Sequence, residues 1–251
     1  MTAATEGPLP HARRREVVRQ AWSVGVATGA YGVSFGALAV AAGLDVWQAQ
    51  ALSLVMFTGG SQFAFVGIIG AGGLAAAPAA ITTAAMLGIR NGLYGLQAAR
   101  FLGVRGPRRL AAAHLTIDES TAVGIAQPEP AAQRIGFWHT GIAVFLLWNA
   151  STFVGSLLGN ALGDPRDLGL DAAAAAAFVA LLWPRLHSRD ATATAVLAAF
   201  VALLSSPFLP PGVPVILAVV AALVVGLRHP GRHERPLEGD DGHLPGWDPT
   251  P

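Results

Sequence analysis

The chain has 251 residues, of which 53% are hydrophobic and 12% charged, and its formal net charge is +1. Soluble domains carry about 25% charged residues, so the composition excludes an ordinary soluble protein, and the net charge gives no argument for nucleic-acid binding. The sequence has no cysteine, which excludes disulfides and thiolate metal sites. We therefore predict an all-α fold, a polytopic transmembrane helix bundle.

Charge-free runs mark the first membrane segments, because about 20 apolar residues cross a bilayer core. A polar N-terminus, 1–20, precedes a first span at about 21–42. The glycines of this span, at 25, 29, 32 and 36, permit close helix approach or a local break. The next charge-free run is too long for one helix, and GAGGLAAAP (70–78) divides it. The sequence therefore predicts spans at about 47–69 and 77–98.

An arginine-rich connection, ARFLGVRGPRR at 99–109, leads to a weaker fourth segment at about 110–127. Further spans are predicted at about 135–162 and 168–184, and SSPFLPPGVP divides the run 191–227 into two short ones. The total is about seven or eight membrane segments, of which one or two are broken or re-entrant. Residues 21–227 are predicted to form the transmembrane domain, and the charged, Pro/Gly-rich residues 228–251 are predicted to be a disordered cytoplasmic tail.

Arginine placement predicts the orientation, since basic residues favour the cytoplasmic side. The N-terminal cluster and the tail both favour the cytoplasm, which requires an even number of crossings. The four arginines at 100–109 conflict with eight full crossings, because they would then face outward. Either the charge rule fails there, or two early segments, including 110–127, are re-entrant.

HLTIDESTAVG places two adjacent acids, Asp118 and Glu119, in the weak fourth segment. Ionisable groups inside a membrane are costly and usually face a bundle interior or a water path. On a continuous helix His114 lies one turn before Asp118, where it could hold or relay a proton. These groups suit a proton-coupled carrier, whereas an interfacial position would leave the acids merely hydrated.

Arg90 interrupts the apolar third span, in AAMLGIRNGLYGLQAAR. Asn91 is adjacent, and Tyr94 and Gln97 share the helical face of Arg90. The guanidinium could bind a substrate carboxylate with two hydrogen bonds, or it could neutralise Asp118 or Glu119 across the bundle.

Two further segments carry polar residues. In the fifth span, WNASTFVGSLLGNALG aligns Asn149 and Thr152 with Ser156 and Asn160, beside glycines at 155, 159 and 163. Such a face either binds a neighbouring helix closely or contributes to a transport path. In FTGGSQF (57–63), paired glycines before Gln62 either open the helix to a ligand or allow close packing.

Several functions are excluded or disfavoured by what the sequence lacks. All sixteen basic residues are arginine, so a P-loop, which requires lysine, cannot be present and this chain binds no ATP by that route. His139 has no nearby ligand set, so we expect no metal site and no cofactor. No nucleophile–base pair can be assembled, and we expect a protein that is not an enzyme.

Taken in order, these motifs resemble those of the AzlC family. YGVSFGALAVAAGLDVWQAQALSLVMFTGGSQFAFVG is similar to the opening of the family, and MLGIRNGLYG to its arginine-bearing third span. TIDESTAV resembles the acidic motif of the family and GLDAAAAAAFVALLWP a later one, so the resemblance covers about 20–227. The arginine-dense loop 99–109 and the long tail are not features of the family core.

The resemblance implies the large subunit of a branched-chain amino-acid exporter in the bacterial inner membrane, working with a separate small AzlD-type membrane subunit. It implies export of valine, leucine, isoleucine and perhaps methionine, and the buried acids favour coupling of this export to the proton motive force. A non-transporting assembly subunit, or a transporter of another small carboxylate-bearing solute, is the alternative.

Overall fold

A computed structural model describes residues 9–161, 179, 182–183, 186, 188–210 and 213–228. Regular structure in these residues is helical, without a β-strand, as the sequence predicts. The α-helices are α1 (His11–Ala41), α2 (Val46–Val55), α3 (Gly60–Gly72), α4 (Ala77–Leu102), α5 (Pro107–His114), α6 (Asp118–Ile125), α7 (Pro130–Ala161), α8 (Arg189–Ser205) and α9 (Val213–Arg228). A 3₁₀ turn, Gly73–Ala76, joins α3 to α4.

Local sequence sets several helix boundaries. Asp45 caps α2, because its carboxylate accepts a hydrogen bond from the Gln48 N–H at 2.8 Å while the Gln48 side chain accepts from the Asp45 N–H at 3.0 Å. Pro78 and Pro107 stand in the first turns of α4 and α5, where a missing N–H costs nothing. Ser188 caps α8 by accepting from the Ala191 N–H at 3.1 Å.

Three helical stretches are long and apolar enough to cross a membrane: His11–Ala41, Gly60–Leu102 and Pro130–Ala161. The long helices α1 and α7 pack along their lengths with the same direction. Gly25 of α1 faces Ala143, and Gly36 faces Thr152 and Ser156. Because both residue numbers increase together along the contact, α1 and α7 are parallel.

Glycine allows this close approach. A methyl group built on Gly25 would lie 2.5 Å from the Ala143 Cβ, and one on Gly155 would overlap the backbone of Val33. The glycines of the first span therefore serve close packing, and α1 continues through them without a break. The same holds for Gly155 and Gly159 of the predicted small-residue face, whereas Gly163 lies outside the described residues.

The segment 47–69, which was predicted to be one span, is two helices that meet at a reversal, residues 56–59. Along α2, the ring of Trp47 packs 6.0 Å from Phe153 and, beyond its end, Phe57 packs 5.1 Å from Phe145. The α7 numbers fall as the α2 numbers rise, so α2 runs against α7 and α1.

α3 then returns in the direction of α1. Phe63 packs 5.5 Å from Phe35, and Gly70 contacts Ala42 at the end of α1. α2 and α3 thus form a re-entrant hairpin, the first hairpin (residues 46–72), and the prediction of one continuous span was wrong. A charge-free sequence does not show its direction, and the chain reverses at Gly59, whose φ is +60°.

The predicted fourth segment is likewise a re-entrant hairpin, the second hairpin (residues 107–125). Along α5, Ala112 lies in a cluster with Phe137, and His114 packs 5.5 Å from Phe145, so α5 runs in the direction of α7. α6 runs back, because Ser120 contacts Gly141 and later residues contact earlier parts of α7. The hairpins therefore enter the bundle from opposite ends.

The two hairpins repeat one design. Each starts five residues after a long helix ends, α1 at Ala41 and α4 at Leu102. At each tip, a side chain accepts a hydrogen bond from the backbone N–H of the residue three positions earlier. Gln62 Oε1 accepts from Gly59 at 3.2 Å, and Ser120 Oγ accepts from Ile117 at 3.1 Å. Because α4 runs opposite to α1, this is an inverted repeat of a helix and a hairpin.

This topology resolves the charge conflict in favour of two re-entrant segments. The N-terminus of α1, the α4–α5 connection and the start of α7 lie at one end of the bundle, the inner end; Arg13 contacts Glu129 there at 3.4 Å, and Arg134 donates to the Phe101 carbonyl at 2.8 Å. The inner end carries Arg13, Arg14, Arg15, Arg19, Arg100, Arg105, Arg108, Arg109 and Arg134, while the described part of the opposite, outer end carries none. By the positive-inside rule, this distribution predicts that the inner end faces the cytoplasm.

α8 and α9 are the two short helices predicted after residue 191. They have 17 and 16 residues, and Pro210 and Val213 of their connection line a shallow groove beside Pro78 at the start of α4. The connection thus lies at the outer end, beside the start of α4. The predicted sixth span, 168–184, lies largely outside the described residues, as does the tail after 228.

Candidate functional site

The two hairpin tips meet at a cavity of about 330 Å³ in the middle of the bundle. This volume lies at the lower end of the range for small-molecule pockets, roughly 300–1,000 Å³. The reversal of the first hairpin and the start of α6 form opposite parts of its wall, with α1, α4 and α7 completing it. The lining residues are Thr28, Tyr31, Phe57, Thr58, Gly59, Gly60, Phe63, Leu87, Arg90, Ile117, Asp118, Glu119, Val144, Trp148 and Leu182.

Arg90 connects the two tips. Its Nη1 lies 3.2 Å from the Asp118 Oδ2 on the second hairpin, and its Nη2 donates to the Thr58 carbonyl on the first at 3.4 Å. The side chains of Arg90 and Asp118 are 29% and 24% exposed, so the pair is partly hydrated from the cavity. A planar guanidinium can serve both partners at once because its donors form a fork.

The charges within the cavity are divided between its two sides. The N-terminus of α3, at Gly60, lies against the guanidinium, since a methyl group there would be 3.2 Å from Arg90 Nη2. A helix N-terminus carries partial positive charge, so this side favours an anion. On the other side, Asp118 and Glu119 occupy the first turn of α6, and their carboxylates favour a cation.

Apolar side chains form the rest of the wall. Phe63 and Trp148 line the cavity and pack on Phe35 behind them, with ring centroids 5.5 and 5.8 Å from that ring. Leu87 and Val144 extend the apolar surface. Phe35 supports Phe63 and Trp148 from behind, so this part of the wall favours an apolar group of a ligand.

Gln62 and His114 do not line the cavity. Gln62 is fully buried behind the first tip, where it accepts from Gly59 and donates to the Leu52 carbonyl at 3.3 Å. The predicted helical spacing between His114 and Asp118 was wrong, because α5 ends at His114 and α6 begins at Asp118. His114 instead packs between the rings of Phe57 and Phe145.

The remaining candidates also lie outside the cavity. Asn91 and Tyr94 follow Arg90 on α4 but are not lining residues. Asn149 accepts from the Gln50 side chain at 3.4 Å, and Thr152 bonds the Ser53 hydroxyl at 3.2 Å. These two residues of α7 therefore bind α2, the first helix of the first hairpin.

Sequence reasoning missed Thr28 and Tyr31, which line the cavity from α1. Together with Ser34, which does not line the cavity, they are the polar residues of GVATGAYGVSFG, and that criterion could have found them. It also missed Phe63, Val144 and Trp148, which no signal distinguishes from ordinary apolar residues of a membrane helix. The described part of the chain has no group of three or more His, Asp or Glu side chains that could hold a metal ion.

A family model described as AzlC protein matches residues 23–162, which is more than half of the chain. The matched region begins in α1 and ends one residue after α7, so it contains both hairpins and every cavity residue except Leu182. Neither a curated protein nor a solved structure matches the chain. Together with the long apolar helices, the match identifies a membrane protein.

Proposed function

Because the chain belongs to the AzlC family, which is associated with branched-chain amino-acid transport, we propose that it is the large subunit of a secondary exporter of valine, leucine, isoleucine and related hydrophobic amino acids. The observation that carries the proposal is one cavity with an anion-favouring side, a cation-favouring side and apolar walls. We further propose a bacterial inner-membrane location, a small AzlD-type partner subunit, and no enzymatic activity.

The charges of the cavity match an amino-acid zwitterion. The carboxylate would bind Arg90 beside the α3 N-terminus at Gly60, and the ammonium would bind Asp118 or Glu119. The substrate would thus enter the existing Arg90–Asp118 pair, which is 3.2 Å long, and give each charged group a new partner. The aliphatic side chain would then contact Phe63 and Val144, which gives the preference for hydrophobic amino acids.

The same arrangement supports the proposal of proton coupling. A proton on Asp118 removes the negative charge that attracts the ammonium, so the proton and the substrate compete for the carboxylate. Competition for one site is the condition for antiport, in which a proton enters as an amino acid leaves. The membrane-embedded position of Asp118 is in keeping with such a role, because intramembrane carboxylates commonly serve proton relays.

Counterflow in proteoliposomes tests the substrate proposal, with the chain reconstituted alone and with the small subunit. The twenty amino acids are tested as competitors of labelled leucine. We expect valine, leucine and isoleucine to compete and charged amino acids not to. Arg90→Gln should reduce counterflow by at least ten-fold, since it removes a charged hydrogen bond worth about 1.5–3 kcal/mol. Gln97→Ala, on the same helix but outside the cavity, should retain it.

Coupling is tested separately by leucine accumulation under an imposed proton gradient. Asp118→Asn and Glu119→Gln are compared with the unsubstituted protein, and at least one of them should lose the dependence on the gradient. If both variants accumulate leucine at the original rate, neither acid couples transport to protons. If no amino acid exchanges even with the small subunit present, the transporter proposal itself is wrong and an assembly role becomes the better explanation.

A further inference from the structure

The connection between α4 and α5 concentrates positive charge without a matching acid. Arg100, Arg105, Arg108 and Arg109 are all exposed, and none of their guanidinium groups lies within 4.0 Å of a carboxylate in the described residues. Residues 100–109 contain no acidic residue. By contrast, Arg13 at the same end of the bundle pairs with Glu16 at 2.9 Å.

Two of these arginines stand where a positive charge is unfavourable. Arg108 and Arg109 are the second and third residues of α5, and the first turn of a helix presents unpaired N–H groups and a partial positive charge. Gly106 precedes the helix and provides no side-chain cap. An intramolecular anion is therefore missing at a point where the guanidinium groups and the backbone all favour one.

The position of the connection indicates which anion is available. α4 has 26 residues, about 39 Å at 1.5 Å per residue, so it crosses a hydrocarbon core of about 30 Å and ends at the cytoplasmic interface. Leu110, next to Arg109, is 75% exposed and offers an apolar surface on the same helix. Phosphate groups and acyl chains meet at this depth of the bilayer.

We propose that the arginine cluster, Arg105, Arg108 and Arg109 with Arg100, binds the phosphate of an anionic phospholipid of the cytoplasmic leaflet. The phosphate accepts hydrogen bonds from the guanidinium groups and compensates the N-terminus of α5, while the acyl chain lies against Leu110. The lipid thereby holds the base of the second hairpin, whose tip carries Asp118. This surface is separate from the cavity and does not depend on the transported substrate.

The test uses the full-length protein in a neutral detergent and follows thermal unfolding by tryptophan fluorescence. Phosphatidylglycerol, phosphatidylcholine and inorganic phosphate are titrated separately. Phosphatidylglycerol should raise the midpoint, whereas phosphatidylcholine and inorganic phosphate should not. An equal effect of phosphatidylcholine would overturn the charge-based site, and an equal effect of inorganic phosphate would overturn the assignment to a lipid.

Variants test whether phosphatidylglycerol binds at the arginine cluster. Replacing Arg105, Arg108 and Arg109 together by Gln should weaken phosphatidylglycerol binding by roughly five-fold for each arginine. Arg108→Glu should also weaken it while favouring the helix N-terminus electrostatically, which separates lipid binding from folding. The matched control replaces Arg14, Arg15 and Arg19 by Gln, with the same loss of charge. If this control weakens binding as much as the cluster variant, the lipid responds to overall charge and the proposed site is wrong.

Discussion

The re-entrant path of both hairpins predicts the sides of the membrane at which two connections lie. Leu74, between α3 and α4, should be outside, and Arg105, between α4 and α5, should be inside. If the two segments instead each crossed the membrane once, as single spans, Leu74 would be inside and Arg105 outside. The natural chain has no cysteine, so single substitutions Leu74→Cys and Arg105→Cys carry no background labelling.

The lengths of the helices show which of them can cross the membrane and so separate the two test positions. α2 and α3 have 10 and 13 residues, or about 15 and 20 Å, and neither arm spans a core of about 30 Å. α4 is about 39 Å long by the same rise, so it separates the two test positions completely. Leu74 is 85% exposed, which makes a cysteine there accessible to reagent.

Intact cells are treated with a membrane-impermeant maleimide, and the cysteines that remain free are counted after denaturation. Leu74→Cys should be blocked by the reagent and Arg105→Cys should react only after the membrane is opened. Ala42→Cys and Ala126→Cys are the outer and inner references. The reversed pattern at positions 74 and 105 would refute the re-entrant arrangement. Labelling of Ala126→Cys from outside would mean that only one hairpin is re-entrant, which contradicts the parallel packing of α1 and α7.

Two further predictions concern packing and the first tip. Gly155→Leu should prevent folding, because a side chain there overlaps the Val33 backbone. The control Gly92→Leu has open space around it and should give a monodisperse peak in size-exclusion chromatography. Equal profiles of the two variants would contradict the α1–α7 contact. Gln62→Leu leaves the Gly59 N–H without its partner and should cost about 1–3 kcal/mol, seen as a lower thermal midpoint, and an unchanged midpoint would show that the tip does not need this bond.

The sequence alone predicts the membrane class and the chemistry more completely than the path of the chain. Arg90, Asp118 and Glu119 stand out because charges are costly in a membrane, and all three line one cavity. The reversal at Gly59 could not be predicted, since the same charge-free residues are compatible with a crossing helix and with a hairpin. The choice is made by tertiary contacts such as Phe63 on Phe35.

The polar residues of α7 show a second limit of prediction from the sequence. Asn149 and Thr152 form a helical stripe that fits either a transport path or a helix interface. Their partners, Gln50 and Ser53, lie 99 positions earlier in the chain, and local periodicity contains no information about contacts at that distance. The helical spacing between His114 and Asp118 was wrong for a simpler reason, because it required an unbroken helix and α5 ends at His114.

The inverted repeat gives a physical reason for an arginine at position 90. Each hairpin tip forms part of the cavity wall, and the guanidinium holds both tips through Thr58 and Asp118. In the proposed function, a substrate carboxylate would take over part of this fork and release one of these contacts, so substrate binding would change how Arg90 holds the two tips. Lysine would keep the charge but, as a point donor on a flexible stem, could not hold two tips in a fixed geometry. For the proposed transporter, Arg90 would therefore link recognition of the substrate to movement of the hairpins, as alternating access between two sides of a membrane requires.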